Sequence, residues 1–386
     1  MTGGRGSGYQ APAATEVADL IVALQSHGLR VETPVETRTG GAGPTDSGMI
    51  WLEGRPVTVP TGTERAARSP YVLKPEDGGG SGVYRDGHRL AGVAASRRPR
   101  FYDRVTADGI PYSKIALLHL DSLASTVVQT CNYWNTPDQC GFCGIGLSLD
   151  SGATIVKKTP EQLAEVAVAA RDLDGAVDVT LTTGSSNAPD RGARYVARCG
   201  RAVKDASGLP VEIQFEPPRD LAILDEVHAM GGADAVGIHI ETFDPDVLAR
   251  VAPGKARTGV ETYFRTWERA VELWGRNRVS TYVILGMGED PDITVDGCRR
   301  AVDIGVYPFV VPLRPVAGSL MADLLPPSAE YSAGIYDRVA AHMTEQGMSA
   351  DDAVAGCARC QACSAINAVQ QQKPLLQIGP RPTALS

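Results

Sequence analysis

The sequence predicts an α/β protein whose main part is a partial TIM barrel, a (βα)6-like parallel barrel. Short β-branched runs recur from about residue 112 onward, and a helical stretch follows each of them. Strands that alternate with helices require a parallel sheet covered by helices, and right-handed crossovers curl such a sheet into a barrel. An open doubly wound sheet is the alternative, but no Gly-rich dinucleotide fingerprint follows the first strand.

The predicted barrel strands are apolar and rich in Val, Ile and Thr. They are STVVQT (125–130), VDVTLTT (177–183), VEIQF (211–215), AVGIHI (235–240), VSTYVIL (279–285) and VYPFVVP (306–312). Helices are predicted at about 190–206, 219–230, 258–275, 291–304 and 328–346. A further helix begins at Pro160, because Thr159 can cap it and Gln162 completes a capping box.

The sequence divides into three predicted parts. Residues 1–110 form a small N-terminal α+β extension, with an amphipathic helix from Glu16 to Ser26 and strand-like runs such as GMIWLEG and SPYVLKP, which are interrupted by EDGGGSG. Residues 111–346 form the barrel. Residues 347–386 form a C-terminal tail that contains a second group of cysteines.

Composition and charge exclude several classes of protein. The chain has 386 residues, 43% hydrophobic content and a formal net charge of −8, without a long basic run, so nucleic acid is not an expected partner. No stretch approaches 18 apolar residues, and the N-terminus lacks a basic segment followed by an apolar core. We therefore expect no membrane partner and a cytoplasmic location, where clustered cysteines more often bind metal than form disulfides.

Six of the 8 cysteines fall into two triads. Cys131, Cys140 and Cys143 lie in the loop after the first strand, at the face where barrels carry their chemistry. Three thiolates can hold three irons of a [4Fe–4S] cluster and leave the fourth iron open. Zinc is the alternative, because Cys-x-x-Cys is also a zinc spacing, although the loop offers no His. The second triad is Cys357, Cys360 and Cys363, whose repeated spacing is typical of ferredoxin-type clusters; a zinc or purely structural site is again the alternative.

These features resemble the radical S-adenosylmethionine (SAM) superfamily. Three cysteines follow the first barrel strand, with Phe142 before the last, although the spacing is eight residues and then two where the superfamily commonly has three and two. The resemblance covers about 120–345 and is strongest to biotin and lipoyl synthases. It rests on the segments GIHIETFDPDVLARVAPGK (237–255), VILGMGE (283–289) and VPLRPVAGSLMAD (311–323). The whole pattern is closest to a bacterial group of biotin-synthase-like radical SAM proteins often encoded beside nitrilases.

The resemblance implies SAM and two [4Fe–4S] clusters as cofactors, one SAM-binding cluster on the first triad and one auxiliary cluster on the C-terminal triad. It also implies contacts with SAM from the turn after the second strand, from the fourth strand, from a helix arginine and from the turn after the fifth strand. These residues are Thr183, Gly184, Ser185, Glu241, Arg265, Gly286, Gly288 and Glu289. The predicted catalytic residues are Glu241, His239 and Arg314, of which Arg314 could contact an anionic substrate.

The predicted function is an enzyme of the sulfurtransferase type. A 5′-deoxyadenosyl radical abstracts hydrogen from a small polar metabolite, and the auxiliary cluster supplies sulfur, as in biotin and lipoyl synthases. The alternative is a dehydrogenase, rearrangement or bond-forming enzyme whose auxiliary cluster anchors substrate or accepts an electron. A reductant such as flavodoxin or ferredoxin is the expected protein partner. The non-enzymatic alternative is a zinc- or cluster-stabilised binding protein.

Overall fold

The computed structural model describes residues 14–37, 47–77 and 79–372. The strands within these ranges are β1 Arg30–Val31, β2 Ser47–Leu52, β3 Arg55–Pro60, β4 Tyr71–Glu76, β5 Gly80–Arg85, β6 His88–Ala95, β7 Leu117–His119, β8 Ser122–Thr126, β9 Asp178–Thr182, β10 Val211–Gln214, β11 Ala235–Gly237, β12 Val279–Leu285 and β13 Val306–Pro312. The helices are α1 Ala14–His27, α2 Glu64–Ala67, α3 Leu147–Asp150, α4 Pro160–Asp174, α5 Ala193–Ser207, α6 Ala222–Ala229, α7 Pro245–Val251, α8 Pro253–Ala256, α9 Val260–Trp274, α10 Pro291–Asp303, α11 Ala329–Glu345, α12 Cys357–Cys360 and α13 Ile366–Gln372.

The larger sheet confirms the partial barrel. Its seven strands follow the order β13-β12-β11-β10-β9-β8-β7, and β8 to β13 are all parallel. At one edge β7 forms an antiparallel hairpin with β8. Helices connect the parallel strands, as crossover connections in such a sheet require. The carboxyl ends of the six parallel strands therefore meet at one face, which is where the first cysteine triad follows β8.

The strands β12 and β13 match their predicted limits residue for residue, β9 and β10 differ from theirs by one residue at one or both ends, and β8 and β11 differ by more. The first barrel strand was predicted at 125–130 but lies at Ser122–Thr126. Val127 still donates to Thr182 O at 2.7 Å, but Val128 pairs with Lys157 in an isolated antiparallel bridge and leaves the parallel ladder. The strand β11 ends at Gly237 rather than 240, although Ile238 continues to hydrogen-bond with β12.

Side chains cap the starts of α4, α7 and α10, and the sequence predicts the cap of α4. Thr159 accepts from the backbone of Gln162, whose side chain accepts in return, so the predicted capping box is present. Asp244 and Asp290 cap α7 and α10, each directly before a proline. Proline suits the first helical position because its missing N–H has no partner there anyway.

The N-terminal extension is a six-stranded sheet of order β1-β4-β5-β6-β2-β3 that packs against α1. The helix α1 extends the predicted 16–26 by a few residues at the N-terminal end and one at the C-terminal end. No helix among the described residues is long and apolar enough to cross a membrane.

The C-terminal tail lies between the barrel and the N-terminal sheet. Thr58 N donates to Ala362 O at 2.7 Å, which joins the tail to β3. On the other side, Gln361 donates to the Tyr307 hydroxyl and Ser364 to Val310 O, both on β13. Residues 361–364 therefore pack against the barrel strand β13, and the three cysteines of the tail line a cavity inside the barrel.

Candidate functional site

A cavity of about 320 Å³ lies at the carboxyl ends of the barrel strands. It brings together many residues that the sequence analysis singled out from separate segments. Those that line it are Cys131, Cys140, Cys143, Thr183, Gly184, Ser185, His239, Glu241, Arg314 and Cys363. Glu216 and Lys255 line it as well, and the predicted set of site residues contains neither of them.

The loop with the first triad is fixed to the turn after β9. Asn132 N donates to Ser185 O and Gly184 N donates to Val128 O, each at 2.9 Å. A side chain at Gly184 would collide with the carbonyl oxygen of Thr130, so only glycine allows the turn to approach the loop this closely. The other end of the loop is held by Gly141 N, which donates to Val251 O at 2.7 Å. The cysteines therefore sit on a rigid support.

Cys131, Cys140 and Cys143 bring three thiols to one cavity, which suits the cluster that the sequence predicts there. The part of the chain that the structure describes contains no group of three or more His, Cys, Asp or Glu side chains that could hold one metal ion. Each cysteine of a cubane binds a separate iron, so its thiolates do not converge on one point. Burial raises the pKa of all three thiols, that of Cys143 to about 12. Thiols with a raised pKa stay protonated at neutral pH, and metal coordination deprotonates them.

Glu241 and Lys255 form a buried ion pair in the wall of this cavity. Lys255 Nζ lies 2.5 Å from Glu241 Oε1 and 2.9 Å from His239 O, and the two side chains are 12% and 10% exposed. Burial alone would lower the pKa of Lys255, but the adjacent carboxylate raises it well above its usual value. Glu241 has a φ of 74°, which is rare outside glycine and costs strain that functional sites often carry. The cavity therefore holds a fixed cation.

Two buried polar atoms of the cavity have no hydrogen-bond partner among the described residues. His239 Nδ1 accepts from Tyr282 N at 3.2 Å, which assigns the ring proton to Nε2, and Nε2 is one of the unpaired atoms. Burial lowers the pKa of His239 to about 3, so the ring stays neutral. The other unpaired atom is Glu216 Oε1. The second oxygen of the same carboxylate, Oε2, accepts from the Tyr133 hydroxyl at 3.2 Å. A buried unpaired group costs free energy, so both atoms offer hydrogen bonds to a ligand or a water in the cavity.

Arg265 does not lie near this cavity. It is exposed on the outer face of α9 and donates to Thr262 Oγ1 at 3.0 Å. The inward face of α9 is taken by its buried residues Tyr263, Phe264, Thr266, Trp267, Ala270 and Trp274. With 3.6 residues per turn, Arg265 must then point outward. The position does not fit the expected contact with SAM, and the cations that line the cavity are Lys255 and Arg314.

The turn after β12 is built around Glu289. Its carboxylate accepts from Gly286 N at 2.7 Å, from Met287 N at 2.8 Å and from the Tyr331 hydroxyl at 2.8 Å. Gly286 and Gly288 have φ values of 94° and 95°, which glycine adopts without strain. None of the three predicted residues here lines the cavity, and the Glu289 carboxylate stabilises its own turn.

Arg314 lines the cavity but its guanidinium is held by the N-terminal sheet. It donates to Thr58 O at 2.6 Å, to Thr58 Oγ1 at 2.8 Å and to Ser47 Oγ at 3.2 Å. The prediction of an anion-binding role did not foresee these contacts, because Arg314 is 256 residues from Thr58 in the chain. Arg314 connects the mouth of the barrel to β3.

The second triad lines a smaller cavity of about 120 Å³ deeper in the barrel. Tyr282 Oη lies 3.0 Å from Cys357 Sγ, and Thr58 Oγ1 lies 3.2 Å from Cys363 Sγ. Gly356 N donates to Asp178 Oδ2 at 2.8 Å, and Arg359 pairs with both Asp121 and Asp178. The two cavities share the lining residues Thr126, Thr182, Gln214, Tyr282 and Cys363. The two triads therefore lie at neighbouring levels of one barrel interior.

Comparisons with known proteins agree with this geometry. Residues 130–300 match the Radical SAM superfamily. The chain is 29% identical over 134 residues to a bacteriochlorophyllide c C-7(1)-hydroxylase of Chlorobaculum limnaeum, and the match covers 34% of this chain and 33% of that relative.

Among solved structures, methylornithine synthase has a TM-score of 0.43 and 18% identity, over 56% of this chain and 61% of that one. A radical SAM methyltransferase from Sphaerobacter thermophilus has a TM-score of 0.45 and 15% identity, over 71% and 75% of the two chains. Likenesses of this size carry no argument about the reaction. The segment that matches the Radical SAM superfamily begins just before Cys131 and includes the whole first triad, the turn after β9 and the Glu241–Lys255 pair. Residues 130–300 are therefore identified as a radical SAM domain.

Proposed function

We propose that this radical SAM enzyme abstracts hydrogen from a small polar metabolite and then inserts sulfur from an auxiliary [4Fe–4S] cluster. The observation that carries the proposal is the position of Cys363, which lines both the cavity of the first triad and the smaller cavity of the second. A substrate in the upper cavity would therefore lie against the wall that the auxiliary site shares. When bound, a cluster on the first triad supplies the electron that cleaves SAM, and one on the second supplies sulfur.

The residues around the first triad suit SAM. The turn of Thr183, Gly184 and Ser185 offers backbone groups beside the cysteine loop, and the Lys255 ammonium offers a cation for a carboxylate. We assign to Lys255 the role that the sequence analysis gave to Arg265. Glu241 holds Lys255 in place and can accept from ribose hydroxyls with its second oxygen. The enclosing strands exclude water, which protects a reactive radical from side reactions. Gly286 and Gly288 remain proposed neighbours of the adenine.

The proposed substrate is polar because of the two unpaired atoms in the cavity. His239 Nε2 requires an acceptor and Glu216 Oε1 requires a donor. A metabolite that carries both an N–H or O–H group and a carbonyl, carboxylate or hydroxyl oxygen would satisfy the pair. A hydrocarbon chain would leave both atoms unpaired, so the cavity disfavours it.

The alternative function keeps the radical step but gives the auxiliary cluster a role as substrate anchor or electron acceptor. The hydroxyl of Tyr282 favours it, since Tyr282 lines both cavities and reaches Cys357 at 3.0 Å. The matched relative is named for a hydroxylation, which inserts no sulfur. In either case a flavodoxin- or ferredoxin-type protein is the proposed electron donor, and the cytoplasm is the proposed location.

The test is anaerobic reconstitution followed by treatment with SAM and dithionite. We expect a brown protein with about eight irons per chain and release of 5′-deoxyadenosine. Replacement of Cys357, Cys360 and Cys363 by alanine should leave SAM cleavage intact and abolish any sulfur-containing product. A C-terminal cluster that stays intact through turnover with a sulfur-free product would leave only the alternative. A colourless protein that contains zinc and leaves SAM uncut would exclude both.

A further inference from the structure

Lys158 is a buried cation without an acidic partner in the structure. It is 1% exposed and lines the smaller cavity together with Cys357, Cys360 and Cys363. Its Nζ donates to Thr154 Oγ1 at 2.6 Å, to Thr126 O at 2.7 Å and to Gln129 Oε1 at 3.4 Å. All three acceptors are neutral. No ion pair of the described residues includes Lys158, although its neighbours give it a full set of hydrogen bonds.

The acidic residues around the second triad are occupied elsewhere. Asp178 binds Arg359 and Gly356 N, and Glu212 accepts from Gln214 at 2.6 Å and Ser280 at 3.0 Å. Lys114 also lines the cavity, so the charged side chains that line its wall are lysines. Removal of a charge from water without a counter-charge costs free energy, and this burial lowers the pKa of Lys158 to about 7. An anionic group bound in the same cavity would offset that cost.

We propose that Lys158 is the counter-charge of the auxiliary iron–sulfur cluster bound by Cys357, Cys360 and Cys363. The inference rests on the proposed auxiliary cluster and adds a residue that no cysteine pattern reveals. Iron–sulfur clusters held by thiolates carry net negative charge, and reduction adds to it. A fixed ammonium in the same cavity stabilises the reduced form more than the oxidised form. Lys158 is thus a positioning residue that raises the reduction potential of the cluster and helps to retain it.

The experiment uses the full chain in a background where alanine replaces Cys131, Cys140 and Cys143, so that only the auxiliary cluster contributes to the spectrum. Midpoint potentials are measured by a redox titration followed by electron paramagnetic resonance, and iron is counted. For Lys158→Met we expect the midpoint potential to become more negative by at least about 59 mV. For a one-electron couple this is a tenfold change in the ratio of oxidised to reduced cluster at a given potential. Lys158→Arg, which keeps the charge, should have a midpoint potential close to that of the background with Lys158.

Lys157→Met is the matched control. Lys157 is the adjacent residue, exposed, with its Nζ 4.3 Å from the centre of the Tyr195 ring. Its loss removes the same charge from the surface and should leave the potential unchanged. Equal potentials and equal iron in Lys158→Met and Lys157→Met would overturn the role of Lys158 alone. Absence of iron from the C-terminal triad in the otherwise unaltered background would instead overturn the auxiliary cluster, and the role of Lys158 with it.

Discussion

The hydroxyl of Thr58 lies 3.2 Å from the sulfur of Cys363, although the two residues are 305 positions apart in the chain. The same hydroxyl accepts from Arg314 at 2.8 Å, and the backbone N–H of Thr58 donates to Ala362 O. One residue of the N-terminal sheet therefore contacts both the last cysteine of the tail and the arginine at the barrel mouth. The N-terminal extension is thus part of the second cysteine site.

Thr58→Val should weaken that site without unfolding the protein. The variant keeps the side-chain shape but loses the hydrogen bonds of the hydroxyl, which costs about 1 kcal/mol. We expect a lower iron content at the C-terminal triad and an altered spectrum of its cluster. The control is Thr294→Val, since Thr294 is equally buried and donates to Asp290 O at 2.9 Å in α10. Equal iron content in the two variants would contradict the role of Thr58.

Lys255→Met should abolish SAM cleavage and destabilise the protein. The variant leaves the Glu241 carboxylate buried and unpaired, which typically costs about 3–5 kcal/mol. The double variant Lys255→Met/Glu241→Gln removes both charges and should recover much of the stability, measured by urea unfolding, but none of the 5′-deoxyadenosine. Recovery of SAM cleavage in the double variant would show that the pair is only structural.

Glu216→Gln should separate SAM cleavage from substrate turnover. The amide keeps the size of the carboxylate and can still accept from Tyr133, so we expect stability within about 0.5 kcal/mol of the parent. Uncoupled release of 5′-deoxyadenosine should persist, whereas turnover of the substrate should fall at least tenfold. Glu165→Gln is the control, because Glu165 accepts from the Tyr112 hydroxyl at 2.7 Å outside both cavities. Loss of SAM cleavage in Glu216→Gln but not in Glu165→Gln would show that Glu216 contacts SAM and not the substrate.

Arg265→Ala should leave SAM binding and cleavage unchanged. The side chain is exposed on α9, and surface substitutions of this kind usually change stability by less than about 0.5 kcal/mol. Equilibrium binding of SAM to the reconstituted protein is the measurement. A large loss of affinity for SAM would show that Arg265 contacts SAM, as the resemblance to biotin synthase implies. It would contradict the assignment of this role to Lys255.

Lys158 should make the stability of the cluster-free protein depend on pH above neutrality. Its folded pKa of about 7 lies below the unfolded value of 10.5. Between these values the unfolded chain binds the extra proton, so the free energy of unfolding rises with pH from about 7 to about 10.5. Urea unfolding of the variant with alanine at Cys357, Cys360 and Cys363 measures the slope. Addition of Lys158→Met should remove that contribution, whereas Lys157→Met should leave it in place.

Local sequence features predicted much of the fold because local physics determines them. The strands β12 and β13 follow from uninterrupted β-branched runs, and α4 follows from Thr159, Pro160 and Gln162. The limit of β8 was wrong because Val128 leaves the ladder for a bridge with Lys157, a contact that strand propensity does not encode.

The site was predictable where residues act through their own segment. The cysteines of the first loop and the turn after β9 meet as expected, because the ends of parallel strands converge. Lys255 was missed even though it lies in the segment that resembles lipoyl and biotin synthases, since nothing in the sequence indicates its ion pair with Glu241. The contacts of Thr58 with Arg314 and Cys363 depend on packing between distant parts of the chain, and no spacing in the sequence announces them.

The placement of the tail between β3 and β13 has a consequence for biosynthesis. The strand β3 is synthesised long before Ala362 and Cys363. The hydrogen bonds of Thr58 to these two residues therefore form only after the later segment has been made. The segment around residues 361–364 can pack between β3 and β13 only after all the barrel strands have been made. A nascent chain stopped short of Cys357 would therefore carry the first three cysteines but would lack the segment that joins β3 to β13.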